Sequence, residues 1–141
     1  MVEFLAPGLS GESADRLIGG LGWKSPLELI APDLLLLETA SALRKLAMLK
    51  SISDAAADRA VSRLQEIGMA TITTAVLLSD AWALRKKLTI YDAVYVALAK
   101  NLVLPLVTAD ARLVRAIKGT TVKALLLDDP KLKQHLDVID R

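Results

Sequence analysis

Cysteine is absent from the 141-residue chain, and histidine occurs only once, at His135 near the end of the sequence. The lack of cysteine excludes disulfides, catalysis by a thiolate and zinc sites built on cysteine. A single histidine excludes an acid–base mechanism that needs two of them. Any catalytic chemistry in this chain must therefore rest on other groups, and its carboxylates are the ones to examine.

Aromatic residues make up only 4% of the chain, whereas hydrophobic residues, mostly Leu, Ala, Val and Ile, make up 53%. This composition is typical of a compact α or α/β domain, and the length fits one domain. Long apolar runs are lacking too, since the strongest fall short of the roughly 18 residues that a membrane span needs. Because we also find no signal-peptide pattern, we expect a cytoplasmic protein without a membrane partner. The net charge of +2 permits nucleic-acid binding without arguing for it.

Candidate strands alternate with helices or pairs of helices along the chain. The predicted strands cover residues 27–31, 71–73, 105–108 and 122–127, and the predicted helices cover 12–18, 34–50, 53–67, 75–87, 90–102 and 111–118. Such alternation indicates a mainly parallel sheet with helices on both faces. Asp33 and Ser53 are predicted to cap the helices that follow them. The four leucines at 34–37 and Trp82 are predicted to lie in the core.

Three acidic residues stand at comparable places in these elements. Glu38 lies on the leucine-rich helix, Asp92 lies in the first turn of the most apolar helix, and Asp110 follows a strand. Strand ends and helix starts converge on one edge of an open α/β sheet, so we expect the three side chains to share one crevice. Carboxylates gathered in one place repel one another unless a cation is present, and oxygen ligands suit Mg²⁺ or Mn²⁺. Such an ion activates water against a phosphate, which favours phosphodiester hydrolysis as the reaction.

Each acid also has a purely structural interpretation. Asp110 could serve only as a helix cap, Asp92 could be an acid favoured by the helix dipole, and Glu38 could lie at an exposed margin of its helix. Thr108, two residues before Asp110, could simply be a strand former. The basic clusters of the chain are interpreted first as solvated faces, although they could contact RNA phosphates, so no residue is assigned to RNA binding.

Three segments of the sequence resemble the PIN domain family, and within it the VapC-like ribonuclease toxins of prokaryotic toxin–antitoxin pairs. These segments are APD at 31–33 through ETASAL at 38–43, YDAVYVALA at 91–99, and PLVTAD at 105–110. The resemblance implies a three-layer α/β/α domain over residues 1–127, with a mainly parallel sheet, followed by a polar tail over 128–141.

The same resemblance implies a site and a set of partners. Glu38, Asp92 and Asp110 match the family acids that bind Mg²⁺ or Mn²⁺ and carry catalysis, and Thr108 matches a supporting polar residue beside them. The implied partners are an RNA substrate, a cognate antitoxin and a second copy of the chain. The implied function is that of a metal-dependent endoribonuclease acting as a toxin.

One part of the family pattern is not found at the start of the sequence. PIN domains open with an apolar central strand that ends in an aspartate, and residues 1–7 resemble the segment just after that aspartate. We therefore expect the first central strand and its acid to be absent, through either a shortened start or a naturally degenerate copy. The two neighbouring strands would then pair directly or accept a segment from elsewhere.

Loss of one acid would weaken cation binding, which leaves more than one function open. The chain is either the metal-dependent endoribonuclease itself or a catalytically inactive PIN-like module that binds other proteins. A third possibility is another small α/β hydrolase that uses the same acids, because a fold alone does not fix a function.

Overall fold

The computed structural model describes residues 29–127 and 129–130 of the chain. In these residues the elements are, in chain order, β1 (Ile30–Pro32), α1 (Leu34–Met48), α2 (Asp54–Glu66), β2 (Ala70–Ile72), α3 (Thr74–Ala83), α4 (Ile90–Leu102), β3 (Leu106–Thr108), α5 (Ala111–Ala116) and β4 (Ala124–Leu126). The predicted α/β class is confirmed. The helix predicted over 12–18 and nearly all of the predicted tail lie outside the described residues.

The four described strands form two parallel pairs. β1 pairs with β2, with Ile30 opposite Ala70, and β3 pairs with β4, with Leu106 opposite Ala124. Within the described residues β1 and β3 do not pair with each other. Residues 1–7, on which the expectation of an absent first strand rests, lie outside the described residues. Helix α4 contacts both β1 and β3, and its packing connects the two pairs.

Helix α4 is buried on nearly all sides, as its continuous apolar sequence predicts. Every residue from 93 to 99 is buried. One side of the helix packs with Leu77 and Ala81 of α3. The other side packs with Leu106 of β3 and Leu113 of α5. A helix enclosed in this way needs apolar residues around its whole circumference, which explains why it lacks a polar face. No helix in the described part of the chain has the length and apolarity needed to cross a membrane.

The predicted caps have different outcomes. Ser53 caps α2, because its hydroxyl accepts the backbone N–H of Ala56 at 3.1 Å. Asp33 precedes α1 but makes no capping hydrogen bond to it, because its backbone is already helical rather than extended. Its Oδ1 atom instead accepts the backbone N–H of Thr74 at 2.9 Å and also the Thr74 hydroxyl. These bonds tie the start of α1 to the start of α3 and hold the pKa of the Asp33 carboxyl below its usual value.

Two predictions of burial were wrong. Of the four leucines at 34–37 only Leu35 is buried, and Leu37 is 73% exposed. Each helical residue turns the side-chain direction by about 100°, so four consecutive residues cannot all face one core. Trp82 is 57% exposed on α3. The Arg85 guanidinium lies over its ring, 4.8 Å from the ring centroid, so the indole packs against a cation rather than the core.

Candidate active site

Glu38 lies on α1 and makes its hydrogen bond across to α4. The Tyr95 hydroxyl donates to Glu38 Oε2 at 2.5 Å, and the tyrosine ring itself is buried in the core. Burial raises the pKa of Tyr95 far above its usual value, and the bond to Glu38 and the charges of Glu38 and Asp92 add to this effect. The phenol therefore keeps its proton, and it acts toward the carboxylate only as a donor.

Asp92 lies in the first turn of α4, three residues before Tyr95. Thr89 is the N-cap of this helix, and its hydroxyl oxygen accepts the backbone N–H of Asp92 at 3.1 Å. The same hydroxyl donates to Asp92 Oδ2 at 2.9 Å. This reciprocal arrangement resembles a capping box and fixes the direction of the carboxylate. Asp92 precedes Tyr95 by three residues and so lies on the same side of α4, which is the part of the helix that Glu38 reaches through its bond to Tyr95.

Asp110 follows β3 and caps α5, as its sequence position predicts. Its Oδ1 atom accepts the backbone N–H groups of Arg112 and Leu113 at 2.7 and 3.4 Å. Its Oδ2 atom lies 3.3 Å from Arg112 Nη2. The side-chain and backbone hydrogen bonds from Arg112 hold the pKa of Asp110 below its usual value. The Asp110 carboxylate is thus engaged with its own helix start and with a neighbouring cation.

Thr108 supports the backbone of the acid that follows it. The threonine is buried at the end of β3, and its Oγ1 atom accepts the backbone N–H of Asp110 at 3.1 Å. This bond fixes the turn from β3 into α5, which determines where the Asp110 side chain starts. The contact is to the main chain, and the carboxylate is oriented instead by the start of α5 and by Arg112.

The three predicted acids are therefore not equivalent in the structure. Glu38 is bonded to Tyr95 and Asp92 lies one turn before that tyrosine on α4, while Asp110 caps α5, whose Leu113 shares a core cluster with Tyr95. Across residues 29–127 and 129–130, no three His, Cys, Asp or Glu side chains are grouped closely enough to hold a metal ion. Carboxylate oxygens are nevertheless the ligands that a hard divalent cation prefers. The oxygen chemistry of Glu38, Asp92 and Asp110 suits such an ion, and their assignment as its ligands stays a prediction.

Three side chains that bond to the acids were not predicted from the sequence. Tyr95 lies within the apolar helix predicted over 90–102, and no sequence signal links it to Glu38, which lies 57 positions earlier. Thr89 could have been found, because threonine three residues before Asp92 at a helix start is the capping-box spacing. Arg112 stands two residues after an N-cap acid, and its proximity to that acid follows from the spacing alone.

Comparison with known proteins identifies the family. A model of the PIN domain family matches residues 3–119 of the chain. The chain therefore belongs to the PIN domain family, and the predicted resemblance is confirmed. The α/β architecture of the described residues is consistent with that family.

Individual relatives are VapC ribonucleases of mycobacteria. The chain is 39% identical over 82 residues to Ribonuclease VapC9 of Mycobacterium tuberculosis, a match that covers 58% of this chain and 65% of the relative. A VapC ribonuclease of Mycobacterium bovis gives the same figures. Ribonuclease VapC1 of Mycobacterium tuberculosis is 40% identical over 87 residues, covering 61% of this chain and 65% of the relative. The matched segments thus span slightly less than two thirds of each relative.

Proposed function

We propose that the chain is a metal-dependent endoribonuclease and the toxin component of a toxin–antitoxin pair, acting in the cytoplasm. The observation that carries this proposal is the hydrogen bond from Tyr95 to Glu38, which brings this acid to the part of α4 that carries Asp92, in a chain of the PIN domain family. Carboxylates from two different helices are the kind of oxygen ligand that metal-assisted phosphodiester hydrolysis uses. The names of the relatives support RNA as the substrate class.

Mg²⁺ or Mn²⁺ is the proposed cofactor, held by Glu38, Asp92 and Asp110. When bound, such an ion supplies a polarised water and neutralises negative charge on a phosphodiester. The chain's own contribution is to direct the carboxylates. Two of them accept hydrogen bonds from neutral hydroxyls, and the third starts from a turn that Thr108 fixes.

Replacement of Asp92 tests this function. Asp92→Asn keeps an oxygen that can accept the Thr89 hydroxyl but removes the negative charge. We expect Mn²⁺ binding by calorimetry to weaken by at least roughly 100-fold, the upper end of the loss caused by a merely supporting residue. We expect Mg²⁺-dependent RNA cleavage to be lost as well. The matched control is Asp58→Asn on the exposed surface of α2, which removes the same charge away from the site.

An unchanged Mn²⁺ affinity and unchanged RNA cleavage in Asp92→Asn would contradict the nuclease function. A second candidate function, a catalytically inactive PIN-like module that binds protein, would then be preferred. The observation in its favour is that Asp110 already has a protein cation as its partner, since Arg112 lies against its carboxylate. An acid satisfied in this way needs no metal ion to offset its charge.

A cognate antitoxin and a second copy of the chain are the proposed protein partners. Several large apolar side chains are exposed on or directly after the described helices, among them Leu37, Trp82 and Val103. Exposed apolar groups of this size support association with another protein surface. Light scattering of the isolated chain tests self-association, and a monomer at all concentrations would contradict a homodimer.

A further inference from the structure

We infer that Tyr95 is a positioning residue for Glu38, which fixes the direction in which this carboxylate is presented to a divalent cation. The inference rests on the proposed function and extends it to a residue outside the predicted set of acids. Tyr95 touches no substrate in this scheme, and it acts only through the side chain of Glu38. Its hydroxyl donates to Glu38 Oε2 at 2.5 Å, across the contact between α1 and α4.

The tyrosine ring is held in place by the core. It packs in one cluster with Leu35 of α1, Leu106 of β3 and Leu113 of α5, and only 7% of Tyr95 is exposed. A ring enclosed by three elements cannot swing away from the position from which it donates. The donor is therefore rigid, whereas the acceptor is the end of a flexible glutamate.

The flexible glutamate gains most from such a donor. Glu38 is half-buried, and a glutamate side chain has three rotatable bonds whose freedom is lost when a ligand binds. A hydrogen bond to an ionised carboxylate is short and strong, so it restricts these bonds before the cation arrives. Because Oε2 accepts from Tyr95, the opposite oxygen of the carboxylate is left for a cation.

The donor is also neutral, which distinguishes it from Arg112. A phenol O–H orients the carboxylate without cancelling its negative charge, so the attraction for a cation is retained. Thr89 does the same for Asp92 with its hydroxyl at 2.9 Å. In contrast, the guanidinium beside Asp110 brings a positive charge that competes with a metal ion. Neutral donors are thus suited to acids that are to bind a cation.

The first experiment removes one oxygen atom. Tyr95→Phe keeps the ring in the core and deletes the donor, and Tyr91→Phe is the matched control. Tyr91 lies on the same helix but is 61% exposed, and its hydroxyl makes no hydrogen bond within the described residues. We expect the dissociation constant for Mn²⁺, measured by calorimetry, to rise roughly 10-fold in Tyr95→Phe and to stay unchanged in Tyr91→Phe, since loss of a residue that orients a metal ligand costs this much.

A second measurement without metal separates positioning from a general loss of structure. Melting temperatures of the unchanged chain, Tyr95→Phe, Glu38→Ala and the double variant form a cycle. If the two side chains are coupled, Tyr95→Phe lowers the melting temperature less in the Glu38→Ala background than in the unchanged chain. Equal shifts in both backgrounds would show that the phenol acts independently of Glu38 and would overturn the inference.

The outcomes also distinguish this inference from the proposed function. An unchanged chain that binds no Mn²⁺ would overturn the proposed function and the inference with it. Mn²⁺ binding that is equally tight in the unchanged chain and in Tyr95→Phe would overturn the inference alone. Three results together would establish Tyr95 as the residue that positions Glu38. Mn²⁺ binding is weaker in Tyr95→Phe, it is unchanged in Tyr91→Phe, and the melting temperatures show that Tyr95 and Glu38 are coupled.

Discussion

On the α1–α4 side of the candidate site, Glu38 accepts its hydrogen bond from a buried tyrosine, whereas at the start of α5 Asp110 accepts from an exposed arginine. The Tyr95 donor is neutral and fixed by the core around it. The Arg112 side chain is charged and 85% exposed, and water and salt screen its attraction for Asp110. The comparison teaches that burial, rather than formal charge, decides how firmly a carboxylate is held.

Energetics support this difference. An exposed ion pair contributes about 0.2–1 kcal/mol, because solvent screens the charges and two long side chains lose their freedom. A partly buried hydrogen bond to a charged group contributes about 1.5–3 kcal/mol. The longer donor–acceptor distances at Asp110, 3.3 Å to Nη2 and 3.4 Å to Nε of Arg112, point the same way. We therefore expect graded effects when each contact is removed.

The largest effect is expected for Tyr95→Ala. Truncation removes a buried ring and its hydrogen bond to Glu38, and comparable aromatic truncations cost about 3–5 kcal/mol of unfolding free energy. Urea denaturation measures the loss. Tyr91→Ala, in the exposed first turn of the same helix, should change the stability by no more than about 0.5 kcal/mol. Similar losses of stability in the two variants would contradict the view that burial makes the Tyr95 contact the stronger one.

A smaller effect is expected for Thr108→Val. Valine has nearly the same shape but cannot accept the backbone N–H of Asp110, and an unsatisfied donor in a buried place costs about 1–3 kcal/mol. Denaturation by urea again gives the value. The control is Thr71→Val, an exposed strand position on β2. If Thr108→Val were as stable as the unchanged chain, the β3–α5 turn would not depend on this bond.

A still smaller effect is expected for Arg112→Gln. The loss should be about 0.2–1 kcal/mol at low ionic strength and should vanish in concentrated salt. The arginine lowers the pKa of Asp110, so its contribution is present above the usual carboxyl range and is lost as pH falls through the lowered pKa. Melting curves at two salt concentrations and across acidic pH check both trends, with Arg115→Gln as control. A salt-independent loss would mean that the pair is more sheltered than its exposure indicates.

The smallest effect at neutral pH is expected for Asp33→Asn. Asparagine retains an acceptor for Thr74, so the variant should differ from the unchanged chain mainly in acid. The Thr74 bonds hold the pKa of Asp33 below its usual value, so they stabilise the fold above that range and fade as pH falls through the lowered pKa. The unchanged chain should therefore lose melting temperature more steeply on acidification. If the melting temperatures of the two chains fell in parallel with pH, the Asp33 carboxylate would not contribute to stability in this way. Asp58→Asn is the control for loss of one negative charge.

Much of the secondary structure followed from the sequence. The apolar run at 90–102 predicted α4 with the bounds that the structure shows, because a helix enclosed by neighbours must be apolar all round. Ser53 and Asp110 marked helix starts through the ordinary chemistry of capping. These features depend on interactions within a few residues, which sequence spacing displays directly.

Contacts between residues that are far apart in the sequence were not predicted. Asp33 has the sequence position of a cap, yet its side chain binds Thr74, 41 positions later. Leu37 and Trp82 are apolar, yet they lie on the outer faces of their helices. Which face of a helix meets the core depends on where the other elements pack, and no local pattern in these segments reports that.

The sequence by itself determined the absence of thiol chemistry, the positions of the helices and the three carboxylates, and the membership of the PIN domain family. Only the tertiary structure decided that Glu38 of α1 is bonded to Tyr95 of α4, one turn after Asp92. The physical reason is that a hydrogen bond acts over about 3 Å, whatever the distance along the chain. The packing of α1 against α4 sets the partner of Glu38, and no pattern of neighbouring residues contains that distance.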